Sequence, residues 1–221
     1  MSGVVDYTVS LALVDFLPVA LSCIGTVLLA RSAQHRVAGV QRWGLLGAVL
    51  VTTGGACKAI WKIVIAATGT DVYWLDDLLF VFLMPGFALL AWALVSAVRG
   101  QQVRRTPFVG GALILGAIAL ASHKVWPLLV GTAVFSITMT VAAVLLAKRA
   151  NDNVAVGMFA FQLTVVPLLA ILGSPSISQS SATQWLEESV NTLAQAALAY
   201  GALRLFGRTA ISPRAVQLQE V

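Results

Sequence analysis

Long apolar runs separated by short polar segments make up almost the whole chain. A helix needs about 20 consecutive apolar residues to cross the ~30 Å hydrocarbon core of a bilayer. Long alternating patterns typical of strands are absent, and a helix satisfies its own backbone hydrogen bonds in lipid. The pattern therefore predicts an all-α membrane protein with seven transmembrane helices. The predicted spans are 8–30, 43–67, 74–98, 107–122, 126–147, 154–173 and 185–206.

Composition supports the membrane class. Hydrophobic residues make up 59% of the chain and charged residues only 10%, whereas a soluble domain carries roughly 25% charged residues. We therefore expect residues 1–221 to form a single integral membrane domain that ends in a short cytoplasmic tail at 207–221. The two cysteines and two histidines are too scattered for a disulfide framework or a zinc site, so we expect no metal and no cofactor.

Basic residues are concentrated in alternate loops of the predicted bundle. Eleven of the 14 Lys and Arg residues lie on one side, together with only two acids. Because cytoplasmic loops carry an excess of Lys and Arg, we predict a plasma (inner) membrane protein with its N-terminus outside and its C-terminus in the cytoplasm. This asymmetry explains the basic pI without a nucleic-acid partner, and the layout is compatible with an oligomer. The eleven are Arg31, Arg36, Arg42, Arg99, Arg104, Arg105, Lys148, Arg149, Arg204, Arg208 and Arg214.

Two segments of the chain resemble each other. Residues 74–77 read Trp-Leu-Asp-Asp, and residues 185–188 read Trp-Leu-Glu-Glu. The similarity predicts two parallel three-helix repeats, 8–98 and 126–206, joined by a linker helix at 107–122. Transporters built from such repeats bind their ligands at the repeat interface. Chance similarity among helices rich in Ala and Leu is the alternative.

Ionisable residues inside the predicted spans lie in the outer half. At ~1.5 Å per residue, Lys58 lies ~13 Å below the outer end of its span, Asp15 ~10 Å and Lys62 ~7 Å. Charge in a membrane interior usually faces the inside of the bundle, so we expect Lys58 to have a carboxylate or amide partner there. We predict a charged cavity, and its ligand-binding residues are Asp15, Lys58, Lys62, Asn191 and Gln195. The acidic pairs that add to this cavity are Asp76 with Asp77 and Glu187 with Glu188.

A purely structural role for these charges is the alternative. Lys62 is shallow enough to extend towards the membrane surface, and acids at the start of a helix are favourable without any ligand. Salt bridges between the two sets would then only fasten helices together. Gly47, Val51 and Gly54 share a face with the lysines, and small residues of this kind mark close helix packing.

Residues 75–85 resemble the paired-acid motif of membrane-embedded lycopene cyclases of the heterodimeric or fused type. In both, two acids open a helix and a proline lies nine residues after the first acid, here Pro85 after Asp76. The resemblance covers the third and seventh spans. It implies an enzyme that protonates a polyene double bond, although the nearby lysines would favour the ionised form of these carboxyl groups, which has no proton to give. The catalytic residues that it implies are Asp76, Asp77, Glu187 and Glu188.

The predicted order of three, one and three helices resembles the superfamily of sugar-translocating seven-helix transporters and opsin-like receptors. The last span has no lysine for a retinal Schiff base, and the Pro-Gln pair of the sugar transporters is absent. The favoured function is binding of a small-molecule or lipidic ligand within membrane lipids, for transport with or without coupling to protons, or for sensing. A cyclase-like enzyme and a non-catalytic accessory subunit are the alternatives.

Overall fold

The computed structural model describes residues 9–172 and 181–217, and every regular element within those ranges is an α-helix. The all-helical fold class is therefore confirmed. The helices in chain order are α1 (Val9–Val14), α2 (Phe16–Gln34), α3 (Gln41–Thr68), α4 (Tyr73–Arg99), α5 (Thr106–Ser122), α6 (Trp126–Arg149), α7 (Asn153–Leu172) and α8 (Ser181–Gln217).

Several of these helices are suited to lipid. Among the described residues, four helical segments are long and apolar enough to cross a membrane. Two shorter helical segments, Thr106–Ser122 and Asn153–Val166, are also apolar. Large apolar side chains such as Leu113 and Leu120 are exposed on the outside of the bundle, where a soluble protein would place polar groups. The four long segments are Ser10–Gln34, Gln41–Thr68, Tyr73–Arg99 and Trp126–Arg149.

The helix boundaries follow the predicted spans closely, with two differences. The first predicted span is interrupted at the single residue Asp15, which separates α1 from α2 but keeps a helical backbone conformation. Pro18 has no backbone N–H, so the carbonyl of Val14 lacks its usual helical donor, and a proline commonly breaks a helix at this point. The last helix begins at Ser181 and continues to Gln217, well beyond the predicted span 185–206.

The helices form a ring in which α5 lies outside. Helix α2 packs against α3 and α8, α4 packs against α3 and α6, and α7 packs between α6 and α8. Helix α5 contacts α4 and α6, and only Ala112 and Ala119 of its side chains are buried.

The small-residue face of α3 packs tightly against another helix, as predicted, and that helix is α4. A Cβ atom added at Gly47 would lie 2.6 Å from the carbonyl oxygen of Gly86, and one at Gly54 would lie 2.8 Å from the carbonyl oxygen of Leu79. Because backbone atoms stand in the way, only glycine permits this approach. The close contact aligns the two helices and fixes the face that α3 turns towards the rest of the bundle.

The two ends of the bundle differ in charge. One end carries the loops 35–40, 100–105 and 150–152, where the side chain of Gln102 donates to the carbonyl of Ala38. We call this end the basic end. The opposite end, where α4 and α8 begin, is called the acidic end.

Towards the basic end the interior of the bundle is mostly apolar. Its largest fully buried side chains include Leu29, Leu90, Trp92, Leu94, Met139, Leu146, Phe159, Leu198 and Leu205.

Candidate functional site

Three charged side chains meet inside the bundle near the acidic end. The Nζ atom of Lys62 lies 2.6 Å from Oδ2 of Asp15 and 2.5 Å from Oε1 of Glu188. Each of the three side chains is only 6–8% exposed. We call this group the carboxylate–lysine triad. It joins the break between α1 and α2 to α3 and to α8.

The triad carries more negative than positive charge. Two carboxylates face one ammonium, and Oδ1 of Asp15 is buried without a hydrogen-bond partner. The carboxyl groups of Asp15 and Glu188 lie close enough to share a hydrogen bond if one of them carries a proton. Lys58 adds a positive charge to the surroundings of Glu188. Burying such a group is costly unless its charges balance, so one proton or one further cation would stabilise it.

A polar stripe on α8 extends from the triad. Gln184 precedes Glu188 by four residues and Thr192 follows it by four, so all three lie on one face of the helix. Both side-chain polar atoms of Gln184 and the Oγ1 atom of Thr192 are buried without a hydrogen-bond partner. Buried polar groups are rarely left unpaired in proteins. This face of α8 is therefore suited to contact a polar species.

The unpaired polar atoms all lie in the half of the bundle nearer the acidic end. Among the described residues, the buried side-chain N and O atoms without a hydrogen-bond partner belong to Asp15, Thr132, Gln184 and Thr192. Thr132 lies near the acidic-end start of α6. The interior near the acidic end is thus both charged and incompletely hydrogen-bonded. Near the basic end the described interior is mostly apolar, and buried polar side chains such as Ser96 and Asp152 are hydrogen-bonded.

The predicted site residues are only partly brought together. Asp15, Lys62 and Glu188 form the triad, and Nε2 of Gln195 donates to Oδ1 of Asn191 at 3.4 Å. The partner expected for Lys58 is not found: its side chain is half-buried and makes no ion pair or hydrogen bond with the residues that the structure describes. Lys62 pairs with Asp15 in place of Lys58, because Lys62 lies at the level of Asp15 between α1 and α2.

The acidic pairs are split. Glu188 is buried in the triad, while its neighbour Glu187 is half-buried. Asp77 is exposed and Asp76 half-buried at the start of α4. Within the described ranges, Asp76, Asp77 and Glu187 form no ion pair. Of the four acids that the cyclase resemblance implies as catalytic, only Glu188 is therefore part of the triad.

A second buried carboxylate, at the basic end, was missed as a site. Asp152 accepts a hydrogen bond from the backbone N–H of Ala155 at 3.0 Å, and Nε of Arg204 lies 3.0 and 3.1 Å from its two oxygens. The bond from Ala155 and the Arg204 guanidinium lower the pKa of Asp152 below its usual range, against the effect of burial. An aspartate directly before an apolar span was the available signal, since it is a preferred N-cap.

Neither site resembles a metal centre. Among residues 9–172 and 181–217, no group of three or more His, Cys, Asp or Glu side chains is placed to hold a metal ion. The Asp152 contact has the features of a helix cap fastened to α8. The triad, by contrast, is an ion cluster with an excess carboxylate inside apolar helices.

No protein-family model, no curated protein and no solved structure matches the chain.

Proposed function

We propose that the protein is an integral membrane transporter with seven transmembrane helices, in which the carboxylate–lysine triad binds and releases a proton as a small solute is moved. The observation that carries this proposal is the sharing of one buried ammonium, that of Lys62, between Asp15 and Glu188. Ionisable groups inside a membrane mark proton or substrate pathways more often than ordinary packing.

The closed geometry of the triad favours a proton as its ligand. Its side chains are almost fully buried, so a larger ligand would need the helices to separate first. A proton needs no cavity, and it would remove the charge excess of the two carboxylates. Two carboxyl groups held close together do not both ionise easily. Protonation would loosen the hold of Lys62 on one partner and let the helices move.

The triad joins the two predicted repeats. Asp15 and Lys62 belong to the first repeat and Glu188 to the second. The order of the helices around the ring supports this division, because each helix keeps an equivalent neighbour when α2, α3 and α4 are exchanged with α6, α7 and α8. The contact of α2 with α8 then becomes that of α6 with α4, and both are extensive. Sites at such interfaces open and close as one repeat moves against the other.

The charge of the two ends supports an orientation. We propose that the basic end faces the cytoplasm and the acidic end the exterior of a plasma (inner) membrane, in keeping with the excess of Lys and Arg in cytoplasmic loops. The triad would then lie in the outer half of the bilayer. Protons arriving from outside would reach it along the polar face of α8 that carries Gln184.

The geometry favours transport over the two alternatives. A cyclase-like enzyme needs a protonated carboxyl group to protonate a double bond. The ammonium of Lys62 beside Glu188 favours the ionised carboxylate, which has no proton to give. An accessory subunit with a structural ion pair would gain nothing from an excess carboxylate or from the unpaired amide of Gln184. Both features are useful to a site that exchanges a proton.

The test uses the purified protein in proteoliposomes that enclose a pH-sensitive dye. Fractions of a small-molecule extract of the host cytoplasm are added while the internal pH is followed. At least one fraction should cause proton movement in the wild type. Glu188→Gln should abolish that movement, whereas the neighbouring Glu187→Gln should retain it. If no fraction moves protons, or if the two variants behave alike, the proposal is wrong.

A further inference from the structure

An apolar groove of about 810 Å³ runs between α4 and α5. Its walls include Val81, Met84 and Leu89 from α4, and Leu113 and Leu120 from α5. The two α5 leucines are largely exposed, so the groove opens sideways towards the surrounding lipid. It is separate from the triad, and none of the three triad residues lines it.

The groove has a polar mouth at the acidic end. Asp77 borders it from α4, and His123 and Lys124 border it from the turn between α5 and α6. These are the three charged or titratable side chains in the lining, and all three are exposed. His123 adopts a left-handed backbone conformation, with φ of 51°, which ends α5 and begins this turn. The anionic side chain of Asp77 and the cationic side chain of Lys124 thus lie at the mouth of the apolar groove.

The length of the groove matches one leaflet. Along α4 the lining extends from Asp77 to Leu89, which at ~1.5 Å per residue is roughly 18 Å. Half of the ~30 Å hydrocarbon core is about 15 Å. Small residues on α5 keep the groove open, since a Cβ atom at Gly116 would meet only the Met84 side chain, at 4.0 Å. One hydrocarbon chain anchored at the acidic-end surface fits these dimensions.

We propose that this groove binds one phospholipid whose headgroup carries both a phosphate and a primary amine, as in phosphatidylethanolamine. One of the two acyl chains of this lipid lies in the groove between α4 and α5. The phosphate contacts Lys124 and His123, and the ammonium donates hydrogen bonds to the carboxylate of Asp77. Charge-assisted hydrogen bonds of this kind are stronger than neutral ones. A choline headgroup has no N–H to donate, and a glycerol headgroup has no positive charge to offer.

The test measures the lipid that stays bound to the detergent-extracted protein. The protein is exposed to equal amounts of phosphatidylethanolamine, phosphatidylcholine and phosphatidylglycerol with identical acyl chains, washed and analysed by native mass spectrometry. The wild type should retain phosphatidylethanolamine about tenfold over the other two, which corresponds to ~1.4 kcal/mol. Asp77→Asn should bind phosphatidylethanolamine and phosphatidylcholine equally, because the acceptor for the ammonium has lost its charge.

A matched pair of glycine variants tests the chain-binding part of the groove. Gly116→Leu fills the groove and should lower the bound lipid about tenfold. Gly110→Leu lies on the same helix outside the lining, where a Cβ atom has room, and it should bind as the wild type does. Equal retention of the three lipids, or equal binding by both glycine variants, would show ordinary surrounding lipid only. A preference for phosphatidylglycerol would equally overturn the role of Asp77. If Gly116→Leu does not fold, the exposed Asp77→Asn variant still decides the question.

Discussion

The ammonium of Lys62 donates a 2.5 Å hydrogen bond to Glu188, 126 positions further along the chain. The contact links α3, in the first half of the bundle, to α8, the last helix. Asp15 completes it from the break between α1 and α2. A single buried cation therefore fastens three separate elements, and removing its charge should affect both the stability and the function of the protein.

Lys62→Met should lower the free energy of unfolding by about 3–5 kcal/mol, because it leaves two carboxylates buried without a partner. Lys58→Met is the matched control, since Lys58 lies one turn away and makes no ion pair with the described residues. We expect that control to cost less than about 1 kcal/mol. Thermal unfolding in detergent measures both. Equal losses would show that Lys62 has no special role.

Neutralising the whole triad should separate stability from function. The variant combining Lys62→Met, Asp15→Asn and Glu188→Gln leaves no charge in the cluster, so it should regain most of the stability lost in Lys62→Met. Proton movement in proteoliposomes should stay absent, because no carboxyl group remains to carry a proton. Recovery of proton movement together with stability would mark the triad as a purely structural link.

The cap at Asp152 should make stability depend on pH. Its pKa is lowered in the folded protein, so its contribution is present above the unfolded pKa, about 3.9, and is lost as the pH falls through the folded value. Asp152→Ala should cost about 1–2 kcal/mol at neutral pH. The difference from the wild type should stay constant down to about pH 5 and shrink below about pH 4. Unfolding measured across this range tests the sign, and a difference that grows in acid would contradict it.

The close approach of α3 and α4 should make Gly47 intolerant of even one methyl group. In Gly47→Ala the new Cβ atom meets the Gly86 carbonyl, and because backbone atoms cannot move aside we expect a loss of ~1–3 kcal/mol. Gly157→Ala is the control, since nothing lies within 4 Å of its added Cβ atom. That variant should be neutral or gain up to about 1 kcal/mol from helix propensity. Thermal unfolding of the two variants gives the comparison.

The positions of the helices were predictable because long apolar runs leave little choice of structure in lipid. The predicted span 74–98 became α4, Tyr73–Arg99, and the small-residue face of α3 was recognised from its spacing. The length of α8 was not predictable in this way, because the helix continues through residues that are no longer apolar. A helix ends where its backbone finds other partners, whatever the hydropathy of the segment.

The pairing within the site was harder to predict. Depth along one helix favoured Lys58 as the buried cation, but depth does not say which neighbouring helix a side chain meets. Lys62 is paired because Asp15, between α1 and α2, lies opposite it on the neighbouring part of the chain. The role of Asp152 depends on Arg204, 52 residues away, and such contacts are set by tertiary packing. Local sequence patterns carry no information about them.

The charge of the two ends predicts how reporters would read the topology. A reporter fused after Val221 should be active in the cytoplasm, and one inserted in the segment 174–184 should be active outside. The second position lies mostly beyond the described residues, so it tests the orientation independently of the helix geometry. The opposite pattern for both reporters would reverse the orientation, and agreement of both on one side would show that α8, which lies between them, does not cross the membrane.

The most direct test of the central claim is an infrared measurement of protonated carboxyl groups in membranes that contain the protein. As the pH is lowered over the range in which the bundle stays folded, the wild type should develop the C=O stretch of a protonated carboxyl group. That band should be lost in Asp15→Asn or Glu188→Gln and kept in Glu187→Gln. A spectrum without the band, or a band that neither triad variant alters, would mean that both carboxylates stay ionised around Lys62 and that the triad does not exchange a proton.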